Sequence, residues 1–126
     1  MFKKQYWPAI LWAFFILVIC GIPGDKIPEL KYGLDLIADK LVHIFIFGLL
    51  TVLILWDAFR KGFITSRLMW ISIVLSSLYG ALIEVLQATI FINRSGDVLD
   101  WLADTAGAIV GYFVLIRFQK MKATKS

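Results

Sequence analysis

Four long apolar runs, separated by short polar links, limit what this chain can become. They extend from Trp7 to Pro23, from Leu41 to Trp56, from Leu68 to Phe91 and from Val98 to Phe118. Crossing the hydrocarbon core of a bilayer takes roughly 20 residues of helix, within a range of about 17–25. Backbone in lipid has no water to bond with, so each run is expected to close its own hydrogen bonds as a helix. The second run is short and needs help from its flanks or from a thin bilayer. Water offers no alternative home for such a chain. Of its 126 residues, 60% are hydrophobic, against about 45–50% in soluble domains. A chain this short cannot hide that surplus in one water-bounded core. The expected architecture is an all-α integral membrane four-helix bundle, a single domain over residues 1–126.

Lys3 and Lys4 ahead of the first run resemble the start of a signal peptide. No small-x-small cleavage site follows, and the residue before Cys20 is Ile19, which does not suit a lipoprotein signal. The first run is therefore expected to remain as a helix. With Cys20 as the only cysteine, no internal disulfide can form, and the thiol reads as a packing residue.

The basic residues set an orientation. Lys3 and Lys4 precede helix 1; Arg60, Lys61 and Arg67 lie between helices 2 and 3; Arg117, Lys120, Lys122 and Lys125 end the chain. These nine of the 13 basic residues share one side, with Lys26, Lys31, Lys40 and Arg94 on the other. The positive-inside tendency makes the richer side cytoplasmic and both termini cytoplasmic (N-in/C-in). Eight of the nine acids then fall in the outer half, Asp57 being the exception. The net charge of +4 thus reads as membrane topology, in the bacterial cytoplasmic membrane, and not as nucleic-acid binding. Between helices 1 and 2, Ile27, Leu30, Leu34 and Ile37 recur at helical spacing. That pattern predicts a short amphipathic segment lying at the interface and able to run straight into helix 2.

Trp7, Trp56, Trp70 and Trp101 fall near span ends, as an interfacial belt does, whereas Trp12 is expected to face lipid. Ala103, Gly107 and Gly111 recur every four positions and let a helix approach closely. A packing role inside the monomer is expected, with Ser76 and Gly80 of helix 3 as the matching surface.

The polar residues inside the spans are the informative ones. A charge at mid-membrane costs about 2.5–3.5 kcal/mol on insertion scales, so such residues turn toward protein or a wet cavity. Asp39 and His43 are four apart and share a face. Glu84 and Gln87 are three apart, with Gly80 one turn earlier. Asp97, Asp100 and Asp104 follow spacings of three and four. Counted from the outer span ends, Glu84 and Asp104 lie roughly 9–10 Å deep at the helical rise of about 1.5 Å per residue. Arg94 sits in the tight outer link and Lys40 beside Asp39. One reading is a polar pocket open to the outer face and lined by Asp39, Lys40, His43, Glu84, Gln87, Arg94, Asp97, Asp100 and Asp104. The other is a structural network in which Arg94 and Lys40 neutralise the acids. Asp97 also reads locally as the N-cap of helix 4.

These same residues resemble a known family. Asp39-Lys40-Leu-Val-His43, continuing through Phe45 and Phe47 to Leu49, is similar to the "DKxxHxxxFxxL" helix of the VanZ-like family. Glu84-Val-Leu-Gln87 is similar to its "ExxQ". The stretch from Arg94 through Asp97, Asp100 and Asp104 to Gly107 and Gly111 is similar to its "RxxDxxDxxxNxxGxxxG". Asp104 stands where that pattern more often has Asn, which adds a carboxylate. The family takes its name from a protein associated with teicoplanin resistance. The resemblance implies a small membrane protein and suggests a connection with glycopeptide antibiotics; the outer-facing polar pocket is the reading of the residues themselves.

Two functional classes follow. The first is a non-enzymatic protein that binds a lipid, a lipid-linked cell-wall precursor or a lipoglycopeptide. Arg94 would attract a phosphate or carboxylate and the acids would take polar or cationic groups. The second is an intramembrane enzyme acting on a lipid-linked substrate. His43 would then serve as general base, or as ligand to a divalent ion with Asp39, Glu84, Asp100 or Asp104. No metal-spacing motif, nucleophilic serine pattern or glycine-rich phosphate loop is present, so no metal or cofactor is assigned. A proton or solute carrier ranks behind both, because four helices without an inverted repeat are few for alternating access.

Overall fold

A computed structural model describes residues 6–22, 34–91 and 97–124. Four helices account for nearly all of them: α1 (Trp7–Cys20), α2 (Leu34–Lys61), α3 (Ser66–Thr89) and α4 (Val98–Thr124). Local chemistry sets the ends. Pro8 opens α1 and Gly21 follows its last residue. Gly62, at φ 83°, closes α2 in the left-handed conformation that glycine tolerates. There the Gly62 N–H donates to the Phe59 carbonyl and the Phe63 N–H to the Ala58 carbonyl, both at 3.0 Å. Arg60 and Lys61 in the last turn suit the negative end of the helix dipole. Thr65, in extended conformation, caps α3 by accepting the Leu68 N–H at 3.2 Å. Asp97 caps α4 by accepting the Leu99 N–H at 2.9 Å.

Three of the four helices, α2, α3 and α4, are long and apolar enough to cross a membrane. The 14 residues of α1 span about 21 Å at the helical rise, less than a hydrocarbon core of about 30 Å. Helix α2 is much longer than the apolar run 41–56. Lys40, Asp39 and the residues back to Leu34 continue the helix at its N-terminal end, and Asp57 to Lys61 continue it at the other. Charged residues extend a helix without breaking it, so the apolar limits understate its length. Of the expected amphipathic segment, Leu34 and Ile37 belong to the first turn of α2, and Ile27 and Leu30 lie outside the described residues.

The helices alternate in direction. Cys20, Lys40, His43, Glu84 and Asp100 gather at one end; Tyr6, Lys61, Phe63 and Lys122 gather at the other. The exterior is apolar on every helix, with Phe14, Phe45, Leu78 and Phe113 each more than 60% exposed. The interior carries His43, Thr51, Ser72, Ser76 and Asp104, each at most 3% exposed. This inversion of the soluble pattern identifies the bilayer as the solvent for the surface.

Helices α2 and α4 make the closest approach. A Cβ on Gly107 would fall 2.8 Å from Ile44 Cα, and one on Gly111 3.0 Å from Gly48 Cα. The small-residue stripe therefore packs within the monomer, as expected. Its partner, however, is Ile44 and Gly48 of α2 and not Ser76 and Gly80 of α3. Helix α3 joins through Thr51–Ser76 and Ser77–Thr105 hydroxyl pairs, each 2.9 Å, and a Trp101 Nε1–H bond to the Ser77 carbonyl at 3.0 Å. Helix α1 docks through Ile16 and Cys20 onto Ile46, Phe47, Leu50 and Ile83. Trp12 corrects its expected lipid-facing placement: its indole N–H donates to the Ile46 carbonyl at 2.8 Å. Tyr79 donates likewise to the Ala13 carbonyl.

Candidate functional site

The first turns of α2 and α4 and the last turns of α3 meet at the acidic end. From α2, the Lys40 ammonium bonds Asp97 Oδ2 at 3.0 Å, Asp100 Oδ1 in a shorter contact, and Asp39 Oδ2 at 3.5 Å. One turn deeper, His43 is 3% exposed. Its Nδ1 lies 2.6 Å from Asp104 Oδ1. Its Nε2 faces Asp39 Oδ1 and Asp100 Oδ2, each at 3.7 Å, too far for a hydrogen bond. The i,i+4 pairing of Asp39 with His43 on α2, and of Asp100 with Asp104 on α4, turns all four side chains toward the same seam.

Asp104 is fully buried. Gly80 of α3 makes room for it: a Cβ there would stand 2.7 Å from Asp104 Oδ2. Glu84 of α3 accepts the Asp97 backbone N–H through Oε2 at 2.7 Å. This carboxylate sits at the N-terminal end of α4, where the helix dipole favours negative charge. Asp97 itself is half-exposed. The Lys40 ammonium, and after it the Leu99 N–H, hold its carboxyl below the usual carboxylate range. It plays the local capping part and the cluster part together.

Sequence spacing thus brings Asp39, Lys40, His43, Glu84, Asp97, Asp100 and Asp104 to one place. Gln87 is the exception. It shares the inner face of α3 but donates through Nε2 to the Cys20 carbonyl at 3.2 Å, tying α1 to the bundle. Arg94 lies outside the described residues, so its expected neutralising role falls to Lys40 among those described. Sequence reasoning did not find Gly80 as the space for Asp104, although its position one turn before Glu84 was the available signal.

Chemically, the cluster has an excess of acceptors. Among the described residues, the carboxyls of Asp39, Glu84, Asp97, Asp100 and Asp104 face one ammonium and one imidazole. Two buried oxygens there, Glu84 Oε1 and Asp104 Oδ2, have no hydrogen-bond partner among the described residues. A buried acceptor left unmatched costs about 1–3 kcal/mol, so native folds hold few of them. The arrangement is suited to take hydrogen-bond donors or cations. Two mainly apolar grooves of about 580 and 600 Å³ open at the opposite, basic end. Neither is lined by the acidic cluster.

The VanZ/LLP1 family model matches residues 2–119, nearly the whole chain. No curated protein and no solved structure matches it. The all-helical fold, the apolar exterior and this match agree, and the chain is a multi-pass membrane protein that belongs to the VanZ/LLP1 family.

Proposed function

We propose that the acidic end faces outward from the bacterial cytoplasmic membrane and binds the polar part of an amphiphile there. The amphiphile is a lipid, a lipid-linked cell-wall precursor or a lipoglycopeptide, and binding alters susceptibility to teicoplanin-type antibiotics. The orientation is supported by charge. Among the described residues, Arg60, Lys61, Arg67, Arg117, Lys120 and Lys122 lie at one end and Lys40 alone at the other. By the positive-inside tendency the end with six is cytoplasmic, which puts both termini inside. In this arrangement α1 crosses or nearly crosses beside α2 and α3.

The observation that carries the reading is the buried, under-neutralised cluster of His43, Glu84 and Asp104, supplied by three helices at one lip of the bundle. A structural network would be expected to match its charges. Among the described residues, this one leaves Glu84 Oε1 and Asp104 Oδ2 without partners, acceptors that an ammonium, hydroxyl or amide of a ligand would match. Lys40 is already engaged by carboxylates, so ligand cations and donors are favoured over anions at that point. Arg94 would contribute the attraction for a phosphate or carboxylate.

The test is binding of fluorescent teicoplanin and of a lipid-linked precursor to the protein in nanodiscs. Wild type should bind at least one of them, with Glu84→Gln and Arg94→Ala binding at least about tenfold more weakly, a loss of roughly 1.4 kcal/mol. Equal binding by all three would refute the reading. One observation favours the intramembrane enzyme as a second reading: the 2.6 Å contact of His43 Nδ1 with Asp104 orients the ring and turns Nε2 into the cluster, as a general base requires. Turnover of a lipid-linked substrate that vanishes in His43→Gln would favour it.

A further inference from the structure

The cluster divides into two halves that are neutralised differently. On the outer side, Lys40 serves Asp39, Asp97 and Asp100. On the inner side, His43, Glu84 and Asp104 are 3%, 9% and 0% exposed, and no ammonium or guanidinium among the described residues pairs with them. Each of the three offers one ligand atom, and those atoms lie within 4.8 Å of one another. Ligands bonded to a first-row divalent ion at about 2.0–2.2 Å stand at most about 4.4 Å apart. Movements of a few tenths of an ångström would therefore close the set around one ion.

Two oxygens of these same carboxylates are, besides, buried without a hydrogen-bond partner among the described residues. Glu84 is held through Oε2 by the Asp97 N–H and leaves Oε1 buried and unpartnered. Asp104 contacts His43 through Oδ1 and leaves Oδ2 buried and unpartnered. A carboxylate fixed by one oxygen and free at the other is the usual condition of a metal ligand with an outer-shell partner. Asp39 and Asp100 face His43 Nε2 at 3.7 Å, beyond hydrogen-bond distance, and would have to close on it to become the carboxylate partner that a metal-bound imidazole ordinarily has.

We propose that His43, Glu84 and Asp104 form a site for one divalent first-row cation, joining α2, α3 and α4 beneath the outer surface. One imidazole with two carboxylates is a nitrogen–oxygen donor set that suits Mn²⁺, Fe²⁺ or Zn²⁺, and it lacks the thiolates that select softer ions. The proposal rests on reading the cluster as a ligand site. It names the ion through which an amphiphile's phosphate or carboxylate would be held.

The experiment uses the full chain in detergent, stripped with chelator and titrated with Mn²⁺ while the spectrum of the free ion is followed by electron paramagnetic resonance. Wild type should bind one Mn²⁺ per chain, displaceable by Zn²⁺. Glu84→Gln and Asp104→Asn should each weaken binding at least about tenfold. Asp57→Asn, at the other end of the bundle, should bind as wild type. Circular dichroism verifies that the variants keep their helices. Absence of a stoichiometric ion in wild type, a result independent of any variant, would overturn the site. So would equal Mn²⁺ binding by wild type and both folded variants. If no ion binds but Glu84→Gln still loses the amphiphile, the ion is overturned and the binding function stands.

Discussion

Replacing Gly107 with Ala tests the α2–α4 contact on which the polar cluster depends. The new methyl would fall 2.8 Å from Ile44 Cα and 2.9 Å from its carbonyl carbon. Ordinary contact begins at 3.4 Å, and the methyl's nearest neighbour, the Ile44 carbonyl oxygen, is closer still, so the helices must separate by at least the 0.6 Å between 2.8 and 3.4 Å, against backbone that cannot turn aside. His43 and Asp104 lie one turn away, and the same displacement would stretch their contact from 2.6 Å to about 3.2 Å, the edge of hydrogen-bond range. Overpacking of this kind costs about 1–3 kcal/mol, and loss of a bond to a charged group about 1.5–3 kcal/mol. Ala is the better helix former by about 1 kcal/mol, which offsets part of that. A net loss of about 2–4 kcal/mol is expected. The assay is reversible unfolding in mixed micelles with increasing dodecyl sulfate, followed by circular dichroism. Gly48→Ala provides the scale: its methyl comes closest to the Gly107 carbonyl oxygen, at 3.0 Å, with its other neighbours at ordinary contact distance, and should cost less. A Gly107→Ala protein as stable as wild type would refute the close crossing and the geometry built on it.

Other perturbations separate scaffold from site. Thr51→Val removes the bond to Ser76 and should cost about 1 kcal/mol in the same unfolding assay, while Thr51→Val with Ser76→Ala should come closer to wild type because no hydroxyl is left without a partner. Trp12→Phe removes the indole bond to the Ile46 carbonyl, which keeps its own helical bond, and should destabilise by about 1 kcal/mol, seen as earlier unfolding without change in the α2–α4 pairing. His43→Ala leaves Asp104 buried without its partner and should cost about 3–5 kcal/mol, with less lost when Asp104→Ala is added. The Asp97 carboxyl is held below its ordinary value of 3.8 by Lys40 first and the Leu99 N–H second. The stability it contributes is therefore present above that ordinary value and disappears as pH falls through the lower native one. Asp97→Asn should remove this acid limb from a plot of melting temperature against pH.

The sequence displayed the helices because an apolar run is its own signal, but it understated α2 and α4 and overstated α1, which ends at Cys20. Asp39, Lys40, Arg60 and Lys61 are charged, yet they continue α2, since hydropathy marks the lipid and not the end of the hydrogen-bond ladder. Spacing of three and four was enough to gather Asp39, His43, Glu84, Asp100 and Asp104, because residues so placed must share a helix face. Spacing could not say where Gln87 and Trp12 point. Their partners are the carbonyls of Cys20 and Ile46, and a backbone acceptor on another helix leaves no mark in composition. The glycine stripe of α4 announced close packing. The choice of α2 as its partner depended on Gly48 standing opposite, a match of heights between helices that periodicity alone does not fix.

The most direct measurement is teicoplanin susceptibility in a bacterium that expresses wild type, Glu84→Gln or Asp104→Asn at equal membrane abundance. Wild type should change the inhibitory concentration relative to empty vector, and both isosteric variants should return it to the vector value. Variants that protect as well as wild type would show that these buried acids only hold helices together, contradicting the binding centre proposed for them.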